Sequence, residues 1–158
     1  MQKRHQYQSK LIWTGNKGSG TSSYKAYERS YTINFAGKPL MEGSADPAFR
    51  GDPSKYNPEE MLIASLSSCH MLWYLHLCSV AGIRVKEYED EAKGVMVELE
   101  NGSGRFVEVV LYISVVIQQQ QNMQEAAQLH EQANKMCFIA NSCNFPVKHQ
   151  IEINAIDI

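Results

Sequence analysis

Between Met61 and Ile83 the chain carries no Asp, Glu, Lys or Arg. A run of that length must be hidden from water, so it dictates what the remaining residues fold around. Helix signals bracket it. Asn57 suits an N-cap, Pro58 suits the first helical position, and Glu59 and Glu60 put negative charge at the positive end of the helix dipole. Gly82 is placed to end the helix. The segment is long enough to span a bilayer. However, Ser65, Ser67, Ser68, His70, His76 and Ser79 are spread along it, and no Lys or Arg cluster flanks it. The expectation is a helix buried in a protein interior and no membrane partner.

The flanking residues predict strands. Tyr7–Trp13 is a candidate, followed by a Gly-rich turn at residues 15–20. Tyr31, Ile33 and Phe35 alternate with polar residues, the period of a half-buried strand, and Leu40–Ser44 suits a return strand. Residues 45–56 have loop composition. After the helix, Val95, Val97 and Leu99 alternate with Met96, Glu98 and Glu100. Asn101-Gly102 then separates them from the apolar run Phe106–Ile117, a strong hairpin signal. Asn122 with Glu125 resembles a capping box, opening a second helix with its stripe at Ala126, Leu129, Ala133, Met136 and Cys137. Alternation from Val147 to Ala155 marks a last strand. This order is α+β rather than doubly wound.

With 158 residues the chain is expected to form one domain over 1–158, or one protomer of an intimate dimer. Fifteen basic and seventeen acidic residues are interspersed, without the basic tract of a nucleic-acid binder. Residues 1–8 are basic but lead into no apolar run, unlike a secretory signal. Four cysteines (Cys69, Cys78, Cys137, Cys143) are too sparse for a disulfide scaffold. Free thiols in the cytoplasm are the expectation. The chain has no Cys-x-x-Cys or His-Glu-x-x-His motif and no phosphate-cradling loop, so neither metal nor cofactor is expected.

Cys69 stands about three turns into the apolar helix. A buried cysteine is most often a small hydrophobe. To act as a nucleophile it must ionise, and an ordinary thiol with a pKa of about 8.5 is only a few per cent thiolate at neutral pH. A neighbouring cation is therefore required. Arg50, in the loop just before the helix, is the first candidate and Arg29 the second. Glu59 could grip the guanidinium bidentately. Cys137 or Cys143 could condense with an oxidised Cys69 to form a disulfide.

These residues resemble the OsmC/Ohr family of thiol peroxidases. The stretch Asn57–Ala64 followed by Ser68-Cys69 carries the resemblance. Ser44–Gly51 and Cys137–Ser142 resemble an OsmC-like branch, and the likeness runs from the first strands to Val147. It implies an antiparallel sheet with a long buried central helix in an intertwined homodimer. By position, Cys69 matches the peroxidatic cysteine, Glu59 the site glutamate, Arg50 the loop arginine and Cys137 the resolving cysteine. Phe138 stands where the family commonly has proline, and His70 where it often has phenylalanine. The implied activity is reduction of organic hydroperoxides through a sulfenic acid and a disulfide, with an external thiol as reductant. Phe49, Met61, Leu62 and Phe138 are expected to supply apolar surroundings. The alternative is a non-catalytic small-molecule-binding or redox-sensing protein on the same fold.

Helix geometry adds one expectation of its own. Ten residues separate Glu59 from Cys69, about 15 Å along the axis. If two copies of the helix cross antiparallel near Ala64 and Ser65, Glu59 of one lies beside Cys69 of the other, and a two-fold axis makes two such sites.

Overall fold

The computed structural model describes residues 3–156. Residues 1 and 2, where the charged amino terminus begins, lie outside them. The chain divides between Met61 and Leu62 into two compact units.

The first unit holds three short antiparallel strands in the order β1 (Lys10–Trp13), β2 (Tyr31–Asn34), β3 (Met41–Gly43). The first strand is shorter than the seven residues expected. All four of its side chains are exposed, so burial does not extend it toward Tyr7. Between β1 and β2, Glu28 N–H donates to Gly15 O (2.9 Å) and Trp13 Nε1 donates to Glu28 O (2.9 Å). Residues 45–56 form a built loop. Asp46 accepts from Ala48 N–H (2.7 Å) and caps a 3-10 turn over Pro47–Phe49, which Arg50 closes in the left-handed region (φ 64°).

Helix α1 (Pro58–Val80) starts at the end of this unit. Asn57 Oδ1 accepts from Glu60 N–H (2.8 Å), and Glu60 Oε2 accepts from Asn57 N–H (3.1 Å), a reciprocal capping box. At the other end Gly82 sits at φ 74° and Ile83 N–H donates to Cys78 O (2.9 Å), the left-handed stop a glycine allows.

In the second unit, β4 (Arg84–Glu98) and β5 (Gly104–Gln118) form the expected antiparallel hairpin, turned at Gly102 (φ 78°). Helix α2 (Met123–Met136) follows, then β6 (Val147–Ile156). Beside the expected antiparallel pairings, β6 pairs with β5 in parallel, Val109 opposite Val147 through Gln118 opposite Ile156. A two-residue turn can only reverse a strand, whereas a crossover through a helix permits parallel pairing. The start of α2 also differs. A 3-10 turn over Gln120–Asn122 precedes it, and the Asn122 side chain makes no capping bond.

β5 lies between β4 and β6, and Val109, Leu111, Ile113, Val115 and Ile117 point alternately into the core. There they meet Leu66, Tyr74 and Cys78 of α1 and Ala126 and Ala133 of α2. Helix α1 is therefore not buried all round, as its composition predicts. Leu66, His70, Tyr74 and Cys78 form its buried row, while Ala64, Ser68, Leu72, His76 and Val80 form an exposed row two residues out of step. Two steps of a 3.6-residue helix turn the chain to the opposite side, so only one face reaches the core. By length and composition alone α1 could cross a membrane; its buried row belongs to the protein core.

Candidate active site

Cys69 lies on the flank of α1 beside the exposed row and is half-buried; Cys137 is the residue that ends α2, 1% exposed. The two thiols are near enough for Cys69 to act on the ionisation of Cys137. The Cys137 thiol is pushed up to about 11, first by burial and next by the neighbouring Cys69. Cys137 therefore keeps its proton. The turn after α2 fixes it there: Cys137 N–H donates to Asn134 O (3.3 Å), its carbonyl accepts from Asn141 N–H (3.0 Å), and Ala140 N–H donates to its sulfur (3.4 Å). Cys143 is turned elsewhere, its S–H donating to Ile139 O (3.3 Å). Cys78 is buried on the core row, and burial raises its pKa.

A cavity of about 560 Å³ opens at Cys69, lined by Ser65, Ser68, Cys69, Leu72, Trp73, His76, Phe138 and Ile139. Trp73 packs edge-on against both Phe138 (5.5 Å between centroids) and His76 (5.8 Å). Of the apolar surroundings expected within this unit, Phe138 lines the cavity and Leu62 does not. Leu72, Trp73 and Ile139 were not anticipated, although Leu72 and Trp73 follow Cys69 by about one helical turn and could have been found from that spacing.

Three other residues singled out above belong to the first unit. Arg50 is exposed, its guanidinium 5.9 Å from the Tyr24 ring centre. Arg29 lies between the rings of Tyr24 and Tyr27, 4.2 Å from each, and donates to Tyr24 O and Tyr27 O at 2.7 Å. These contacts make Arg29 a clasp for its own loop. The Glu59 carboxylate oxygen Oε2 is buried without a hydrogen-bond partner, and its charge adds to burial in raising the Tyr31 phenol. The expected grip of Glu59 on Arg50 is not made: among the described residues no ion pair joins them.

Below the site, on the core side of α1, lies a cluster that the sequence did not reveal. His70 Nε2 is 3.0 Å from His130 Nδ1, the His149 ring stacks on His70 at 4.2 Å, and Tyr74 stacks on His130 at 3.7 Å. Burial, helped by mutual repulsion, holds His70 and His130 down at about 3; burial also lowers His149, partly opposed by the charge of Asp90. His70 Nδ1, His130 Nε2 and His149 Nε2 have no partner. Among the described residues no group of three His, Cys, Asp or Glu is arranged to hold a metal ion.

The fold and the paired thiols define a class: an α+β protein with one cysteine on a long apolar helix and a second at the end of the following helix. The chain belongs to the OsmC-like protein family, whose model matches residues 51–152. An OsmC-like protein of unknown function from Vibrio cholerae superposes with a TM-score of 0.83 at 30% identity, over 94% of this chain and 100% of that one. An organic hydroperoxide resistance protein from Elizabethkingia anophelis shares the fold at 19% identity (TM-score 0.70, 99% and 100% covered). Another, named OsmC, from Legionella pneumophila does so at 14% (TM-score 0.68, 97% and 99% covered). Comparison with curated protein sequences finds no match.

Proposed function

We propose that this protein is a cysteine-based peroxidase that reduces organic hydroperoxides in the cytoplasm. The neighbouring thiols of Cys69 and Cys137, with Cys69 lining an apolar cavity, carry this reading. Cys69 thiolate attacks the distal peroxide oxygen. The O–O bond breaks, the departing alkoxide takes a proton and leaves as the alcohol, and Cys69 becomes a sulfenic acid. Cys137 then attacks the sulfenic sulfur. An S–S bond forms, and the hydroxyl leaves with the Cys137 proton as water. An external thiol reductant, itself oxidised, restores both cysteines. Sulfur carries the electrons throughout, so the cycle needs no cofactor.

One equivalent of cumene hydroperoxide should remove two thiols and leave a Cys69–Cys137 disulfide in peptide mass spectra, and a dithiol should then sustain turnover. Four intact thiols after that treatment would instead favour a binding protein on the same fold.

The activating residues are proposed to come from a second copy. The exposed row of α1, with Leu72 at 63% and Val80 at 74% exposure, is an unusual surface for an apolar helix, and Ala64 on that row permits close approach. An antiparallel crossing there brings the partner subunit's Glu59 beside Cys69, where it can orient Arg50 of its own chain and favour the thiolate. This accounts for a Glu59 oxygen buried without a partner within one chain. Co-refolding Glu59→Ala with Cys69→Ser subunits should recover activity, because each mixed dimer retains one intact composite site. Mixtures as inactive as the parents, or a monomer by light scattering at micromolar concentration, would overturn the arrangement.

A further inference from the structure

Helix α1 carries Cys69 and helix α2 ends in Cys137, so the side chains between the two helices decide how those thiols are set against each other. The buried row of α2 is Ala126, His130 and Ala133. Two of the three present only a methyl group, and apolar contact has no direction, so these alanines do not by themselves fix how far along its neighbours α2 lies. His130 supplies what they lack. Its Nδ1 stands 3.0 Å from His70 Nε2, a hydrogen bond that joins α2 to α1. The ring planes differ by 9° and the ring centres lie 5.3 Å apart, close to the N···N distance plus the two ring radii, so the rings stand nearly end to end. Burial keeps both rings neutral, and one N–H therefore points along the line between the two nitrogens. Packing holds each ring on that line: Tyr74 lies flat on His130, 13° from parallel, and His149 lies on His70 at 4.2 Å. Stability does not explain the pair. His70 Nδ1 and His130 Nε2 are buried without partners, a cost that two phenyl rings would not incur. A hydrogen bond gives what phenyl rings cannot, a preferred length and direction.

We propose that the His70–His130 hydrogen bond sets the register of α2 against α1 and so positions Cys137 to attack the oxidised Cys69. His70 directly follows Cys69. Cys137 follows His130 by seven residues, two turns along the same side of α2 and about 10 Å further on. A helix carries a displacement at His130 to its end, and the bond from Cys137 N–H to Asn134 O ties that thiol to the last turn. Both histidines are positioning residues and take no part in the sulfur chemistry. This inference rests on Cys69 and Cys137 as the reacting pair, and it assigns what aligns them.

The test times the two halves of the cycle separately. After one equivalent of cumene hydroperoxide, rapid quenching into dimedone reports the Cys69 sulfenic acid, and peptide mass spectra report the Cys69–Cys137 disulfide. His130→Phe and His70→Phe each remove the bond while keeping a ring for Tyr74 or His149 to pack on. Each should slow disulfide formation about tenfold, the scale of a small misplacement of reacting groups, and slow sulfenic acid formation far less. Two positions are tested so that a variant that fails to fold leaves the other to decide. His130→Asn puts an amide where Nδ1 stands, and His70→Gln puts one where Nε2 stands. These variants should recover most of the lost rate, which a role in packing alone would not allow. Disulfide formation as fast in the phenylalanine variants as in the unmodified protein, or no recovery in the amide variants, overturns the assignment. Diamide, which oxidises neighbouring thiols without a peroxide, gives a second measure of alignment. The same order of rates with diamide, in a protein whose thiols ignore the hydroperoxide, would support the positioning pair and sink the peroxidase reading.

Discussion

Cys69→Ser should abolish peroxide consumption, lowering the rate by at least about a thousandfold, because the other thiol at the site, Cys137, is buried and holds its proton. Cys137→Ser is expected to behave differently. It should consume one equivalent of hydroperoxide and then stall, leaving a sulfenic acid at Cys69 that dimedone traps. Cys143→Ser should still form the disulfide and turn over, since the Cys143 sulfur is held on Ile139 O rather than beside Cys69. The physical basis is proximity. The two thiols are already near enough for Cys69 to shift the Cys137 pKa, so condensation competes with over-oxidation without a large movement of the chain. Should Cys143→Ser rather than Cys137→Ser block disulfide formation, the resolving role has been given to the wrong residue.

The second large effect is a loss of stability in mild acid, and its origin is the histidine cluster. His70 and His130 titrate at about 3 in the folded chain, against about 6.5 when unfolded. Above pH 6.5 both states are neutral at these positions, and neither residue makes stability depend on pH. Below it the unfolded chain binds protons that the folded chain cannot, so stability falls as the pH drops from 6.5 toward 3. Each group contributes a slope of about 1.4 kcal/mol per pH unit. Two of them remove about 3 kcal/mol between pH 6.5 and pH 5, a large share of the roughly 5–15 kcal/mol that holds a domain together. His149, also lowered, acts in the same direction. The groups facing the cluster are Tyr74 on α1 and Asp90 on β4, and only the carboxylate opposes the trend. Urea unfolding at pH 7.5, 6.5, 5.5 and 5.0 should show stability level at first and then falling steeply. His130→Phe, which keeps a ring to stack on Tyr74, should make the acid limb shallower by about one proton whatever it does to the absolute stability. Equal stability at pH 7 and pH 5 would mean that the cluster takes up protons as readily folded as unfolded.

Much of the architecture was legible because its causes are local. The reciprocal bonds between Asn57 and Glu60 involve residues three apart, and the stop at Gly82 and the turn at Gly102 depend on a glycine at a positive φ. The α+β order and the family follow from these signals and from the residues around Cys69. The parallel pairing of β6 was not legible, because alternation from Val147 onward says which side chains share a face and nothing about which way the neighbouring strand runs. The same holds for β1: apolar residues at 11 to 13 read as strand, but the pattern does not say where pairing with β2 stops.

The site divides in a similar way. Cys69 stood out in the sequence because one helix and its cap are local matters, and the lack of charge from Met61 to Ile83 already announced a helix that must be covered. Whether Cys137 or Cys143 lies beside it depends on how the turn after α2 is bonded, through Asn134, Ala140 and Asn141, and on a separation of nearly seventy residues closed by packing. His70, His130 and His149 come from α1, α2 and β6; in the sequence they are three unremarkable histidines, and only the meeting of those elements makes them a cluster that resists protons. Sequence by itself determined the elements, their ends and the reactive helix, because backbone caps, glycine conformations and side-chain periodicity act over a few residues. Tertiary structure alone decided which thiol faces Cys69, which histidines are buried together and which face of α1 the chain leaves open, because burial and proximity depend on residues far apart in the chain and are created only when the core closes.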